Sequence, residues 1–380
     1  MNKQKRVLLA MSGGLDSSVA AILLQKMGYE IIGITMKLWT YDNDTFSKNN
    51  SCCDIDAIND ARNIAVQLNI PHYVLDFTGQ FNDIVIEDFL NEYLQGRTPN
   101  PCILCNIHLK WNALIKKAAE LNCNYIATGH YANINKKDNR YFISKSKDQN
   151  KDQSYVLWGL TQAHLAKTIF PLGNYSKEEI RKIAQDMGFH RIANKRESYD
   201  ICFIPDNNYR NFLQQRIPQV KQLCPPGNFI DTSGKILGTH QGIPFYTIGQ
   251  RKGLVIALGV PKYVCRINAQ TNEITLGDKE DLLSDNLIIR QYNLMKYSEI
   301  PSGFIGETKI RYKNKGQTAT IVQYDDYIKV KFHFPVSAIT AGQSAVVYEN
   351  NDIVAGGIID ITESVQNNLP NASNKTNIKQ

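Results

Sequence analysis

Met11-Ser12-Gly13-Gly14-Leu15-Asp16-Ser17-Ser18 lies between a short apolar run and a helical pattern. Two glycines permit tight turns, consecutive amides then point inward, and the helix start adds positive potential, so the loop suits a phosphate or pyrophosphate. Ser12 and Ser17 supply further donors, and Asp16 is placed to bind Mg²⁺ bridging the phosphates. The loop is neither a Walker A sequence nor GxGxxG. The plainer alternative is a glycine-rich strand-to-helix turn with a capping serine.

A second constellation, Gly96-Arg97-Thr98-Pro99-Asn100-Pro101-Cys102-Ile103-Leu104-Cys105-Asn106, reads as a loop entering a helix. Cys105 is expected at the helix start, where the dipole favours a nucleophilic thiolate. Asp200-Ile201-Cys202-Phe203 is a distant third piece. Inert buried thiols are one alternative, and structural zinc on the C-x-x-C pair with His108 or Cys52 and Cys53 is another. Thr128-Gly129-His130-Tyr131 follows a strand, and Lys151-Asp152-Gln153-Ser154 precedes a helix as a polar turn. Lys309, Arg311, Lys313 and Lys315 recur every second residue. On a strand they would form one cationic stripe, with Tyr312 on the other face, suited to a phosphate backbone or simply to a solvated edge. Arg251 and Lys252 give a second basic point.

The elements needed to hold these groups are legible. Strands are expected at 6–11, 30–36, 72–76 and 125–128, alternating with helices at 17–27, 54–68, 80–94 and 106–121. Such alternation predicts an α/β fold, a doubly wound parallel sheet with ligand at the strands' carboxyl ends. Residues 155–187 read as helical, with a capping box at Ser176 and Glu179. The division expected is an ATP-type α/β domain over 1–210, a small β-rich central domain over 211–283, a C-terminal β-barrel over 284–364 with a hairpin around Asp325-Asp326, and a disordered tail over 365–380.

Composition excludes fibrous and mostly disordered classes: 43% hydrophobic, 21% charged and 9% aromatic residues in 380. The net charge of +7 favours a polyanionic partner. No apolar run reaches the roughly 18 residues that span a bilayer, and no signal-peptide pattern opens the chain, so a cytoplasmic protein without membrane contact is expected. The 8 cysteines are then reduced thiols, available for chemistry or metal.

Taken together, SGGLDS, GRTPNPCILCN, ATGHY, KDQSYVL, ICFI, HQGIPFYTIGQRKGL and AGQSAVVY occur in the order seen in the bacterial tRNA-specific 2-thiouridylases. The chain resembles that family, a branch of the PP-loop ATP pyrophosphatases, from about residue 5 to 362. The resemblance implies ATP-dependent 2-thiolation of wobble uridine 34 in tRNAs for Lys, Glu and Gln. ATP adenylates the C2 oxygen, pyrophosphate leaves, and sulfur then displaces AMP. It further implies that Ala10, Met11, Ser12, Gly13, Gly14, Leu15, Asp16 and Ser17 hold ATP, with Met36 and Gly129 around the adenosine. Cys202 would carry a persulfide with Cys105 as its catalytic partner. Asn100, Pro101 and Cys102 would face the target base, and His130, Lys151, Asp152, Gln153, Arg311, Tyr312 and Gln343 would contact tRNA, whose flipped, single-stranded anticodon base makes this feasible. A monomer supplied with sulfur by a cysteine desulfurase or a relay protein is expected.

One residue departs from the family pattern. Many members carry an acidic residue where this chain has Cys102, so Cys102, Cys105 and Cys202 here offer three thiolates, enough for a [4Fe-4S] cluster with one open iron. The reading favours that cluster over a bare persulfide. Rival readings are a PP-loop synthetase that adds an amine to an adenylate, and a non-catalytic tRNA-binding protein.

Overall fold

The computed structural model describes residues 5–40, 55–195, 201–256 and 259–360. The expected tail, and Cys52 and Cys53, lie outside them.

The first layer is built from β1 (Arg6–Ala10), α1 (Leu15–Lys26), β2 (Glu30–Lys37), α2 (Ile55–Gln67) and β3 (His72–Asp76). It continues through α3 (Thr78–Phe81), α4 (Glu87–Leu94), α5 (Pro101–Leu104), α6 (Trp111–Glu120) and β4 (Tyr125–Ala127). The strands form a parallel sheet in the order β3-β2-β1-β4, completed at its edge by β7 (Thr168–Ile169). Val7 and Leu9 of β1 face one apolar cluster with Val19, Ile22 and Ile64, while Leu8 faces another with Trp111, Leu114 and Ile126. That alternation puts helices on both faces, the doubly wound arrangement expected.

Between β4 and β7 runs a hairpin, β5 (Asn133–Lys137) and β6 (Arg140–Ser144), followed by α7 (Gln162–Ala166). The expected helical stretch over 155–187 is therefore broken. Thr168 and Ile169 pair with Ile126 and Ala127 instead, because an exposed edge of the sheet beside β4 outweighs local helical spacing. The capping box is present: Ser176 and Glu179 cap α8 (Lys177–Asp186), after which come α9 (His190–Ala193), α10 (Tyr209–Arg216) and α11 (Val220–Leu223).

A four-stranded sheet follows from β8 (Gly227–Ile230), β9 (Ile236–His240), β10 (Tyr263–Asn268) and β11 (Glu273–Gly277), in the order β10-β11-β8-β9. The last region is a closed barrel of β12 (Leu283–Leu294), β13 (Ile305–Lys309), β14 (Gln317–Gln323), β15 (Ile328–Ser337), β16 (Ser344–Glu349) and β17 (Asp352–Asp360). Pairing of β12 with both β15 and β17 closes it. The hairpin expected around Asp325-Asp326 joins β14 to β15. The β5–β6 hairpin adds to the barrel at β17, tying the first region to the last.

The cationic stripe is corrected. Strand β13 ends at Lys309 and the chain turns through Arg311 to Asn314, whose amide donates to the Arg311 carbonyl at 3.1 Å. Alternate residues therefore do not share a face.

Candidate active site

The loop after β1 is held from behind. Met11 N donates to the Ile34 carbonyl at 2.8 Å, and the buried Thr35 hydroxyl donates to the Met11 carbonyl at 2.7 Å. Gly13 adopts φ 68°, and a Cβ there would stand 2.0 Å from the Ala57 carbonyl oxygen, so only glycine lets the loop lie on the first turn of α2. Gly14 caps α1 without a side chain. Ser12 N donates to Ser17 Oγ at 3.1 Å, while the Ser17 and Ser18 hydroxyls donate back to the Gly14 carbonyl at 3.2 and 2.8 Å. Gly129, after β4, lies against the same turn: a Cβ there would be 2.9 Å from Ser17 N. Ala10 to Ser17 and Gly129 are thus brought together at the sheet's carboxyl edge. Met36, near the end of the neighbouring β2, packs against the apolar clusters containing Trp111 and Cys105.

Two lysines distant in sequence flank this loop. Lys177 Nζ lies 2.6 Å from Asp16 Oδ1, which also accepts the Tyr131 hydroxyl at 2.7 Å. Lys195 Nζ donates to the Gly13 carbonyl at 3.2 Å and to Asp60 Oδ2 at 2.9 Å, while Arg191 lies 3.1 Å from Asp60 Oδ1. Asp60 is only 4% exposed, and a buried carboxylate needs such partners. Sequence reading missed Lys177, Lys195 and Asp60. A lysine at the first position of a capped helix, against the helix dipole, was the available signal for Lys177.

The cysteines divide. Cys105 is buried, with Phe81, Phe89, Leu109 and Phe203, and the half-buried Cys202 packs on that same cluster. Cys102 is exposed. The helix begins at Pro101 behind Asn100, not at Cys105, so Cys102 sits in the first turn and Cys105 one turn inside, where the helix widens into a π-helical turn. Proline at the first helical position, whose missing N–H costs nothing there, fixes this start. The dipole argument therefore applies to Cys102 rather than to Cys105. Among the described residues no three Cys, His, Asp or Glu side chains are grouped to hold a metal ion. With one thiol exposed and one in an apolar core, the arrangement does not fit the expected [4Fe-4S] ligand set.

The remaining candidates converge from three segments. Gln343 Nε2 donates to the Thr98 and Pro99 carbonyls at 3.1 and 3.0 Å, which holds the loop carrying Asn100, Pro101 and Cys102. Arg311 donates to the Ala338 carbonyl and to Thr340 Oγ1, just before Gln343, and burial pulls its pKa below the usual arginine value. The rings of Tyr312 and Tyr155 are 6.2 Å apart, and the Tyr155 hydroxyl donates to the Ser344 carbonyl at 2.7 Å. Lys151 is half-buried. Next to it, the buried Asp152 is occupied within its own turn, accepting from Ser146 N at 2.9 Å and Ser154 Oγ at 2.7 Å. Gln153 Oε1 accepts from Tyr131 N at 2.9 Å, linking this turn to the residue that holds Asp16. His130 packs on Trp111 and Phe170, with Nδ1 2.7 Å from Thr128 Oγ1. Desolvation pushes its pKa down to about 3, with Lys110 adding to the effect, so the ring is neutral at physiological pH.

Comparison with known proteins gives matches along most of the chain. The family described as a tRNA methyl transferase HUP domain matches residues 5–206, a tRNA methyl transferase PRC-barrel domain matches 210–278, and an aminomethyltransferase beta-barrel domain matches 284–359. A tRNA-specific 2-thiouridylase MnmA of Amoebophilus asiaticus is 50% identical over 359 residues, covering 94% of this chain and 96% of the relative. Proteins of the same name from Cytophaga hutchinsonii and Clostridium kluyveri are 50% and 48% identical, again over 94% of this chain and over 98% and 99% of their own. Among solved structures, a 4-thiouridine synthetase in complex with RNA and ATP matches with a TM-score of 0.36 and 18% identity, over 58% of this chain and 52% of the other.

Proposed function

The chain belongs to the family of tRNA-specific 2-thiouridylases, and from that premise we propose that it is a tRNA sulfurtransferase that replaces the C2 oxygen of uridine 34 by sulfur in tRNAs for Lys, Glu and Gln. The observation that carries the reading is the packing of Cys105 and Cys202 on one apolar cluster that also meets Met36, on the strand beside the glycine loop.

ATP lies with its phosphates against the loop of Ala10 to Ser17 and its adenosine near Met36 and Gly129. Lys195 and Lys177 supply positive charge beside the loop, and Asp16 is the residue that would hold Mg²⁺, which when bound neutralises phosphate charge. The uracil C2 oxygen attacks the α-phosphorus and pyrophosphate leaves, so a poor leaving group becomes AMP. The terminal sulfur of a Cys202 persulfide then attacks C2, and AMP departs with the original oxygen. The Cys105 thiolate attacks the Cys202 sulfur, the C2–sulfur pair is released as the thiocarbonyl, and a Cys105–Cys202 disulfide is left. A thiol reductant opens that disulfide, and a cysteine desulfurase or sulfur-relay protein reloads Cys202. The apolar surroundings of both thiols exclude water, which would otherwise hydrolyse the adenylate. Asn100 to Cys102 face the base. Lys151, Gln153, Arg311, Tyr312 and Gln343 meet the tRNA, and Asp152 and His130 shape the surface beside them. A monomer acts on one tRNA in the cytoplasm.

The test is an anaerobic incubation with ATP, Mg²⁺, a cysteine desulfurase with cysteine as the persulfide donor, a thiol reductant and unmodified glutamate tRNA, followed by nucleoside mass spectrometry. Appearance of 2-thiouridine only with ATP is the expected result. Pyrophosphate release without thiolation would leave the nucleotide site standing and overturn the sulfur-transfer step.

A further inference from the structure

Resting on the nucleotide-site reading above, we propose that Lys177 and Tyr131 are positioning residues that fix one oxygen of Asp16 so that the other is presented to the divalent cation of the bound nucleotide. Both donors converge on the same atom: Lys177 Nζ stands 2.6 Å and the Tyr131 hydroxyl 2.7 Å from Asp16 Oδ1. Among the described residues no hydrogen bond reaches Oδ2, and the Asp16 side chain keeps 36% of its exposure, which leaves the carboxylate room for a further partner. Lys177 is itself 11% exposed in its side chain, and its ammonium lies 5.6 Å from the centre of the Tyr131 ring. A carboxylate with one oxygen doubly hydrogen-bonded cannot rotate freely, and outer partners of this kind tune metal affinity by roughly 10- to 100-fold.

Lys177 also occupies a place that its own helix disfavours. It is the first residue of α8, where the helix dipole favours acids such as the Glu178 and Glu179 that follow it. A cation there is explained by what it does for Asp16 in α1, some 160 residues away. Gln153 extends the chain of contacts, since its side chain accepts from Tyr131 N at 2.9 Å. The turn read above as meeting tRNA is thus one residue from the metal-orienting hydroxyl.

The test is calorimetric titration of the full chain with a non-hydrolysable ATP analogue, with Mn²⁺ present and again with EDTA, together with electron paramagnetic resonance of the bound Mn²⁺. Lys177→Met should weaken Mn²⁺ binding in the nucleotide complex by roughly 10- to 100-fold over and above its loss of analogue binding measured in EDTA, and Tyr131→Phe by less, with its binding of the analogue in EDTA unchanged. Tyr131→Phe removes a single oxygen, so it reports even where Lys177→Met fails to fold. Equal Mn²⁺ affinity in folded variants and wild type, or tighter binding in Lys177→Met, overturns the positioning role. Failure of the wild type to bind the analogue at all would overturn the nucleotide-site reading instead.

Discussion

The side-chain amide of Gln343 spans the two carbonyls of Thr98 and Pro99 at 3.1 and 3.0 Å, joining the turn before β16 to the loop that carries Asn100 and Cys102. Thr98 N returns a bond to the Ala341 carbonyl at 2.9 Å, so barrel and loop are stitched from both sides. Two such bonds contribute about 1 kcal/mol each. Gln343→Ala should therefore lower kcat/KM for tRNA by roughly tenfold or more while KM for ATP stays put. Steady-state kinetics varying each substrate in turn will show this, and an equal change in both would mean the barrel acts on the nucleotide loop as well.

Gly13 is the least replaceable residue of the loop. Its φ of 68° costs an alanine about 1 to 2 kcal/mol, and the new methyl would collide with the Ala57 carbonyl at 2.0 Å. Gly13→Ala should displace the loop from α2, strain the Lys195 contact to the Gly13 carbonyl, and weaken ATP binding by at least roughly tenfold. Calorimetry on the folded variant measures the loss. Gly28, whose added Cβ meets nothing within 4 Å, provides the control that positive φ alone does not abolish binding.

Much of this was legible because it is local. The glycine loop between an apolar run and a helix, the capping box at Ser176, and the alternation of strands and helices each follow from neighbours in sequence. The parts that were not legible are set by partners far away. Lys177 and Lys195 acquire meaning only beside Asp16 and Gly13, and Thr168 becomes strand because β4 offers it an edge. The spacing of Lys309, Arg311, Lys313 and Lys315 suggested a strand face, but pairing of β13 stops at Lys309 and the turn begins. The same limit applied to the helix start, where Pro101 rather than Cys105 sets the first turn.

The fate of that stripe changes what salt should do. Lys309 is half-buried, its Nζ 5.7 Å from the centre of the Tyr348 ring, and desolvation, with Lys145 adding, lowers its pKa. Lys315 and Lys252 are exposed. Affinity for tRNA should fall steeply with salt, and Lys315→Gln and Lys252→Gln should each reduce the slope of log K against log salt by roughly 1. Lys309→Gln should leave the slope nearly unchanged. Filter binding from low to moderate salt distinguishes the three.

His130 provides a pH test with a defined sign. Its folded pKa is held near 3 against an unfolded value of 6.5, so below 6.5 the unfolded chain binds the proton first. Its stabilising effect is present in full above pH 6.5 and is lost as pH falls towards 3. Denaturant unfolding of His130→Gln should show a slope of stability against pH that is shallower by up to one proton across that window. Thiolation itself should show no ionisation assignable to His130 between pH 6 and 8, since the ring is already neutral there.

The thiols separate by environment, and their substitutions should separate by effect. Cys105 and Cys202 share an apolar cluster, whereas Cys102 faces solvent in the first turn of its helix. Replacing either clustered thiol by serine removes a sulfur that makes or breaks a bond, so thiolation should fall by on the order of a thousandfold or more. Cys202→Ser should still release pyrophosphate in the presence of ATP and tRNA, because adenylation precedes sulfur attack. Cys102→Asp should retain most of the persulfide-dependent activity, since nothing in the sequence of bond changes uses that side chain. Iron analysis of anaerobic wild type and Cys102→Asp, run beside the nucleoside assay, checks the point: stoichiometric iron in the wild type that disappears together with activity in the variant would require all three thiols to move onto one site, and would replace the persulfide route by a cluster.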